Sequence, residues 1–495
     1  MKTHLILFPI LMPLGGAVIA MLLRHRPRLQ VRWTFATLLV SLAMSASLLW
    51  TVWQQGVPLV FEGGGWAAPF GIAVVGDLLG LLLVVMSQTV LLSGVLYAWG
   101  SRDQVVRYPT FYPLFLMLTT GLTGAMLTGD LFNLYVFAEL LVISGTVLTA
   151  VSDDKYGTEA AYKYFYISLL AAAFMLLAIG SLYVSYGTLN MADLGQRIAA
   201  DGSQPLLPVA IALLLAAFMI KSAVFPFHFW QPDFHTAAPT AVSAMLSSVV
   251  VKLGVYGFLR MTTLLFVAQA ETIQTVLLVV GVIGVVFGGL SAIGTHNVKR
   301  MLAYSTLAQI GFILVGIGWG TALSIAAALV FAVNHSLIKA AMLMLAGAVA
   351  SRAPVKTAAF AAITGLGKYL PGMGVLFFLG SLALAGIPPT NGFISKLLLF
   401  QSGIAAAEWG VLALIGVSSV LTLVYTMRAF RRIWWQAPDA EVKVKASGDR
   451  LLAPILLLGL VVLLGVWAEP LVSLAQATTE WLLSPAAYVA AVLGG

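Results

Sequence analysis

The feature that constrains this chain most is a series of apolar runs, each about twenty residues long, recurring from one end to the other. A helix of that length spans the hydrocarbon core of a bilayer, and a soluble fold could not hide so many of them. The runs lie near residues 4–23, 33–53, 74–98, 110–128, 130–151, 162–185 and 206–227, then 240–263, 271–293, 300–319, 322–350, 371–400, 407–430 and 451–475. They predict an all-α polytopic membrane protein with about 14 transmembrane helices. No long hydrophilic segment interrupts the series, so residues 1–495 read as a single integral membrane domain. The run 322–350 exceeds one crossing and is expected to tilt or bend. Only 9% of the residues are charged, against about 25% in soluble domains. The first run, within MKTHLILFPILMPLGGAVIAMLL, imitates a secretion signal. It lacks a convincing small-x-small cleavage pattern and nearly reaches spanning length, so it is read as a helix.

Fourteen crossings place alternate loops on opposite sides, and the basic residues then sort. Nineteen of the 26 lysines and arginines fall on one side, and only Lys2, Arg197 and Arg260 on the other. Lys356 and Lys443 belong to the larger group. The positive-inside rule makes that side cytoplasmic and puts both termini outside. This sorting accounts for the net charge of +8 without nucleic acid. The absence of cysteine rules out thiolate-held zinc, iron–sulfur clusters and thiol redox chemistry in this chain. Neither a phosphate-binding loop nor a zinc-protease motif occurs, and no metal or cofactor is expected. Gly284-x-x-x-Gly288 reads as helix packing.

Four basic residues remain, all inside predicted helices: Lys221, Lys252, Lys339 and Lys396. A charge at the bilayer centre costs about 2.5–3.5 kcal/mol on insertion scales. Glu139 lies within the fifth run, far from either end. His335 and Lys339 stand four residues apart, hence on one helix face. The stretch AFMIKSAVFPFHFWQPDFH, residues 217–235, adds Pro226, His228, Pro232, Asp233 and His235 directly after Lys221. Lys396 follows Pro388 and Pro389 and falls toward the outer side of its run. A bland reading makes these residues packing charges, or lysines snorkelling to a headgroup, which suits Lys396 alone. Glu139 with a lysine could be a static pair, although buried pairs are weak stabilisers. For His228 and His235 the structural and functional readings stand level. Asp77 and Asp130 sit at helix ends.

The functional reading has a mechanism. Burial disfavours an ammonium and a neighbouring carboxylate favours it, so a lysine between the two can load and release a proton as its partner moves. A chain of such groups passes protons, each protonation biasing the next. Pro226, Pro388 and Pro389 break their helices, freeing backbone groups and making room for water beside the lysines.

Four stretches now carry a resemblance: KSAVFPFHFWQPDFHTAAPT, the surroundings of Lys252, VKRMLAYSTLAQIGF at 298–312, and LALAGIPPTNGFISK. Together they resemble the proton-pumping antiporter-like family, which comprises subunits of respiratory complex I, membrane-bound hydrogenases and Mrp cation/proton antiporters. The match covers the fourth to thirteenth runs. The resemblance implies two five-helix repeats of inverted topology, helices 4–8 (110–263) and 9–13 (271–430), with helices 7 and 12 broken. Residues 1–109 would supply three N-terminal helices and 451–475 the last one. It further implies that Glu139, Lys221, Lys252 and Lys396 match the family's proton-carrying residues, with His335 and Lys339 as connecting groups. His228, Asp233 and His235 would be accessory groups for proton uptake. Within the family, a chain ending after fourteen helices, without a long C-terminal extension, and carrying Lys396 instead of glutamate is most similar to the Mrp D subunit. The complex I subunit of similar size is the alternative. The resemblance thus implies a secondary transporter and not an enzyme, in a bacterial cell (inner) membrane. It would work with the A, B, C, E, F and G subunits of an Mrp complex to exchange Na+ or K+ for protons.

Overall fold

The computed structural model describes residues 3–151, 155–355, 357–437 and 444–494. Lys2, Lys356 and Lys443 of the charge sorting lie outside them. Ten helices among the described residues are long and apolar enough to cross a membrane, or twelve if each of two bent pairs is one span. Two shorter apolar helices, Phe111–Leu127 and Leu207–Lys221, occupy the fourth and seventh expected runs. By length and apolarity alone, ten to twelve spans are thus counted among the described residues, with these two shorter helices besides. Among the described residues the protein is all-α apart from a small antiparallel hairpin, Leu59–Glu62 with Ala73–Gly76.

Burial separates the helices into a core and a lipid-facing shell. The apolar windows of Thr240–Leu265 and Ala322–Ala350 are completely buried, whereas only 33% of that of Trp409–Trp435 is buried. The buried helices are the ones carrying Lys252, His335 and Lys339. Ten of the 29 residues of Ala322–Ala350 are alanine, and small residues let neighbouring backbones approach without lipid between them. Gly288 illustrates the closeness: a Cβ there would lie 2.6 Å from the Ala308 nitrogen and 2.8 Å from the Tyr304 oxygen. The Gly284-x-x-x-Gly288 pattern is thus a packing surface against Val298–Gly318.

The run 322–350 is one helix, Ala322–Ala350, without a break. Other expectations are corrected. The last expected run is two helices, Leu452–Val466 and Glu469–Leu482, bent by 79°, because Pro470 can occupy a first turn but cannot continue a helix. Two short helices, Met191–Ala200 and Pro485–Leu493, cap one end of the bundle. Asp77 and Asp130 do sit at helix starts, accepting from the backbone N–H of Gly80 (2.8 Å) and Asn133 (2.8 Å). Arg260, sorted with the charges of the outer side, is buried in the last part of its helix.

Both predicted breaks are present. Leu207–Lys221 ends at its lysine, and helix resumes only at Trp230–Ala237. Pro371–Ala385 stops before Gly386, which takes φ +84°, and Asn391–Ala405 follows. Pro226, Pro388 and Pro389 lack the N–H a continuing helix would require, and glycine is the residue that tolerates a left-handed stop. Just before Lys252 runs a π-helical turn, Leu246–Val250, a distortion frequent at functional sites.

Candidate functional site

The elements just described bring the buried ionisable groups into contact pairwise. Lys221, the last helical residue before the first break, reaches Glu139 on Leu131–Ala150: Nζ lies 3.2 Å from Oε1. The lysine side chain is 5% exposed and the glutamate 20%, so this pair is nearly out of solvent. Two charges shielded from water attract more strongly than in water, and the lysine, held inward, does not extend to a headgroup.

Lys252 and Lys339 are fully buried, and His335 is 1% exposed. The Lys252 ammonium nitrogen contacts His335 Nδ1 across the interface of Thr240–Leu265 and Ala322–Ala350. The His335 Nε2 atom has no partner in the chain among the described residues. One turn on, Lys339 Nζ donates to Ser305 Oγ (2.7 Å) and to the Leu302 carbonyl (3.2 Å). Tyr425 donates to the same Ser305 oxygen at 2.7 Å. Neither lysine has a carboxylate partner in these contacts; both rest on neutral acceptors.

Lys396 is 5% exposed and bonded inward, which removes the snorkelling reading. Its Nζ donates to the Ala385 carbonyl (2.7 Å) and to Ser419 Oγ (2.9 Å), and stands 5.3 Å from the centre of the Phe312 ring. Ala385 ends its helix, so its carbonyl is available because the helix is broken there. Beside this contact, Asn334 donates to Ser395 Oγ at 3.1 Å, linking the residue before His335 to the residue before Lys396. Asn334 Oδ1 and both polar side-chain atoms of Asn391 remain buried without partners among the described residues, the kind of site that ordered water satisfies.

The remaining expected residues are placed apart. Asp233 does not reach the buried lysines; it holds Lys163 and Arg300, each at 2.9 Å, and lines a cavity of about 540 Å³ with them. His228 sits among aromatic rings, 5.5 Å from Phe225 and 4.8 Å from Phe287. His235 is fully buried, with Nδ1 3.5 Å from Ser243 Oγ and Nε2 unpartnered in the chain among the described residues. Sequence reasoning missed Ser305, Ser419, Tyr425, Asn334 and Asn391, because hydroxyl and amide residues are common in apolar helices and give no signal by themselves. It also missed a second buried ion pair. Arg260 Nη2 lies 2.7 Å from Asp77 Oδ2, with side-chain exposures of 3% and 0%. The spacing of Lys252, Tyr256 and Arg260 by four residues was the available clue. Among the described residues no group of three or more acidic, histidine or cysteine side chains could hold a metal ion.

Known proteins are similar to this chain over nearly its whole length. The D subunit of a Na(+)/H(+) antiporter of Bacillus subtilis (strain 168) is 33% identical over 495 residues, covering 99% of each chain. The N subunit of an NADH-quinone oxidoreductase of Desulforudis audaxviator (strain MP104C) is 34% identical, covering 96% of this chain and 98% of the relative. Among solved structures, a chain of the Mrp complex from Dietzia sp. DQ12-45-1b superposes with a TM-score of 0.91 at 27% identity, over 100% of this chain and 99% of that one. Residues 128–422, which contain every buried lysine described above, match the family described as "NADH:quinone oxidoreductase/Mrp antiporter, TM". This chain belongs to the NADH:quinone oxidoreductase/Mrp antiporter transmembrane family.

Proposed function

We propose that this chain is the proton-translocating subunit of a multisubunit antiporter that exchanges cytoplasmic Na+ or K+ for external protons. The observation that carries the reading is the set of four inward-bonded lysines, of which three meet only neutral partners in the contacts above. A membrane protein with no use for them could replace each by an apolar residue at a gain.

The proton steps follow from the contacts. Glu139 holds a proton on Lys221 by attraction, and movement of either residue releases it toward Lys252. Lys252 contacts His335, and Lys339 follows one turn on along the same helix, so two ammonium groups there repel strongly in a medium of low dielectric. A proton arriving on Lys252 therefore expels one from Lys339, and His335 can carry it between them on its two ring nitrogens. From Lys339 the proton passes to Lys396, whose nitrogen exchanges with the exterior. The two breaks supply carbonyls and hydrated space at the ends of this line. Asp233 and His235, with His228, serve proton uptake on the cytoplasmic side. The inverted repeats, the fourteen crossings and the external termini belong to the same reading. So do a bacterial cell membrane and assembly with the A, B, C, E, F and G subunits of an Mrp complex. Ion exchange without bond chemistry makes the chain a transporter, not an enzyme.

The similarity to an NADH-quinone oxidoreductase chain favours a second reading, in which the same relay is driven by electron transfer in partner subunits. Purification of the intact complex with mass spectrometry separates the two: small hydrophobic antiporter subunits in the first case, flavin and iron–sulfur proteins in the second. In either case Lys252→Ala is expected to stop proton movement in inverted vesicles, and near-normal transport in that variant would remove the relay.

A further inference from the structure

The relay leaves one buried pair of charges unused. Asp77 and Arg260 are as deeply buried as the lysines, yet they lie outside the Lys221-to-Lys396 line. Arg260 falls on the same helix and the same face as Lys252, with Tyr256 halfway between. Its guanidinium stands 5.0 Å from the ring centres of both Tyr256 and Tyr488, and Tyr256 points its hydroxyl to the Thr128 carbonyl at 3.4 Å. The Tyr488 hydroxyl is itself buried without a partner among the described residues. The cluster joins the start of Leu78–Gly100, the end of Thr240–Leu265 and the C-terminal helix Pro485–Leu493. This is the end of the bundle opposite Arg102, Arg352 and Asp449, which gather through Arg102 N–H to Asp449 Oδ1 (2.7 Å) and Arg352 to the Asp449 carbonyl (3.2 Å). On the charge sorting, it is the outer end.

Arg260 therefore occupies the line along which a proton leaving Lys252 straight outward would travel. Eight residues of helix put it about 12 Å beyond that lysine. A guanidinium keeps its charge at any working pH, and a fixed cation in a narrow passage repels protons and metal cations alike. Asp77 makes that cation tolerable in an apolar setting, and the two tyrosine rings cover its faces without supplying a proton acceptor between it and Lys252 other than Tyr256. We infer that the Asp77–Arg260 pair, clamped by Tyr256 and Tyr488, is an electrostatic seal that closes the direct outward route from Lys252 and forces protons sideways toward Lys396. The inference rests on the proposed relay only in taking Lys252 as a proton carrier.

The test uses the whole purified complex in liposomes under a pH gradient, in choline buffer without Na+ or K+, with an internal pH dye. Wild type is expected to hold the gradient. The neutral pair Asp77→Asn with Arg260→Gln is expected to collapse it about tenfold faster, the factor for about 1.4 kcal/mol of lost barrier. Adding Lys252→Ala to that pair is expected to restore tightness, since the leak starts at that lysine. A gradient as stable as in wild type, with only a lower melting temperature, would reduce the pair to a structural staple. A leak that persists without Lys252 would overturn the route. If the neutral pair does not assemble, Tyr488→Ala keeps both charges and uncovers one face of Arg260; a smaller leak is expected, and full tightness refutes the clamp. Because this assay reads leak without the transported cation, failure of the relay shows separately, as antiport surviving Lys252→Ala.

Discussion

The two broken helices place their lysines in opposite ways. At the first break the lysine comes before the interruption, ends its helix and meets a carboxylate: Lys221 faces Glu139 at 3.2 Å. At the second the lysine comes after the interruption and meets only neutral oxygens, the Ala385 carbonyl and Ser419. A carboxylate stabilises the ammonium form and strengthens it further as water is excluded. Carbonyl and hydroxyl oxygens solvate an ammonium without holding it by net charge. On the proposed relay, the first break would capture a proton, and the second would hold one loosely enough to release it. The same backbone device, a proline-interrupted helix, serves two electrostatic purposes according to which side of the gap carries the lysine.

The largest effect is expected at the paired break. Glu139→Ala or Lys221→Ala should lower cation-dependent proton movement in inverted vesicles by about a hundredfold or more, the usual contribution of a proton-transferring group. Assembly should survive, because a lysine deprived of its partner can shed its charge. Near-normal transport with either alanine would erase the difference between the two breaks.

At the unpaired break the expectation is an order of activities. Arginine keeps the charge of Lys396 but does not deprotonate at working pH. If release is the task, activity should fall in the order wild type, Lys396→Glu, then Lys396→Arg and Lys396→Ala together. Vesicle transport at matched expression would show a fixed cation instead by ranking arginine near wild type and glutamate last.

Gly386→Ala should damage the second break more than its small size suggests. Its φ of +84° costs an L-residue about 1–2 kcal/mol, and the new methyl would lie 2.5 Å from Lys396 Cδ. Lower yield and melting temperature of the purified complex are expected, with reduced transport. An unchanged melting temperature would mean that the break relaxes freely. Ser419→Ala removes one neutral acceptor, worth about 1 kcal/mol or roughly fivefold in rate, and no change in the pH profile of transport would assign Ser419 to packing.

The smallest effect belongs to orientation. A cysteine at exposed Ser447, in a chain that otherwise has none, should leave transport intact and react with an impermeant thiol reagent only from the cytoplasm. It lies in the 440–448 loop, of which residues 440–443 are outside the described residues. Labelling of intact cells would invert both breaks, and with them the roles of capture and release.

Much of this is legible in the sequence, for a simple reason. Hydrocarbon admits a charge only where function or pairing holds it, so Glu139, Lys221, Lys252, Lys339 and Lys396 stand out against their apolar neighbours. Proline and glycine announce the breaks because one lacks an N–H and the other tolerates positive φ. The burial of Arg260 is not legible, because a charge near the end of the run 240–263 sorts as readily with the outer surface. The bend after Val466 escapes notice because the apolar run continues through it.

The sequence by itself determined that the chain lives in a membrane, where its helices lie, and which side chains are too polar to face lipid. Those properties depend on local transfer energies and local backbone chemistry, which a linear pattern records. Only the tertiary structure decided the partners: glutamate for Lys221, histidine for Lys252, serine and carbonyl oxygens for Lys339 and Lys396, and Asp77 for Arg260. Partnership depends on how helices rotate and cross, set by the packing of small residues far apart in the chain. No local periodicity encodes whether a buried lysine meets a charge or a hydroxyl.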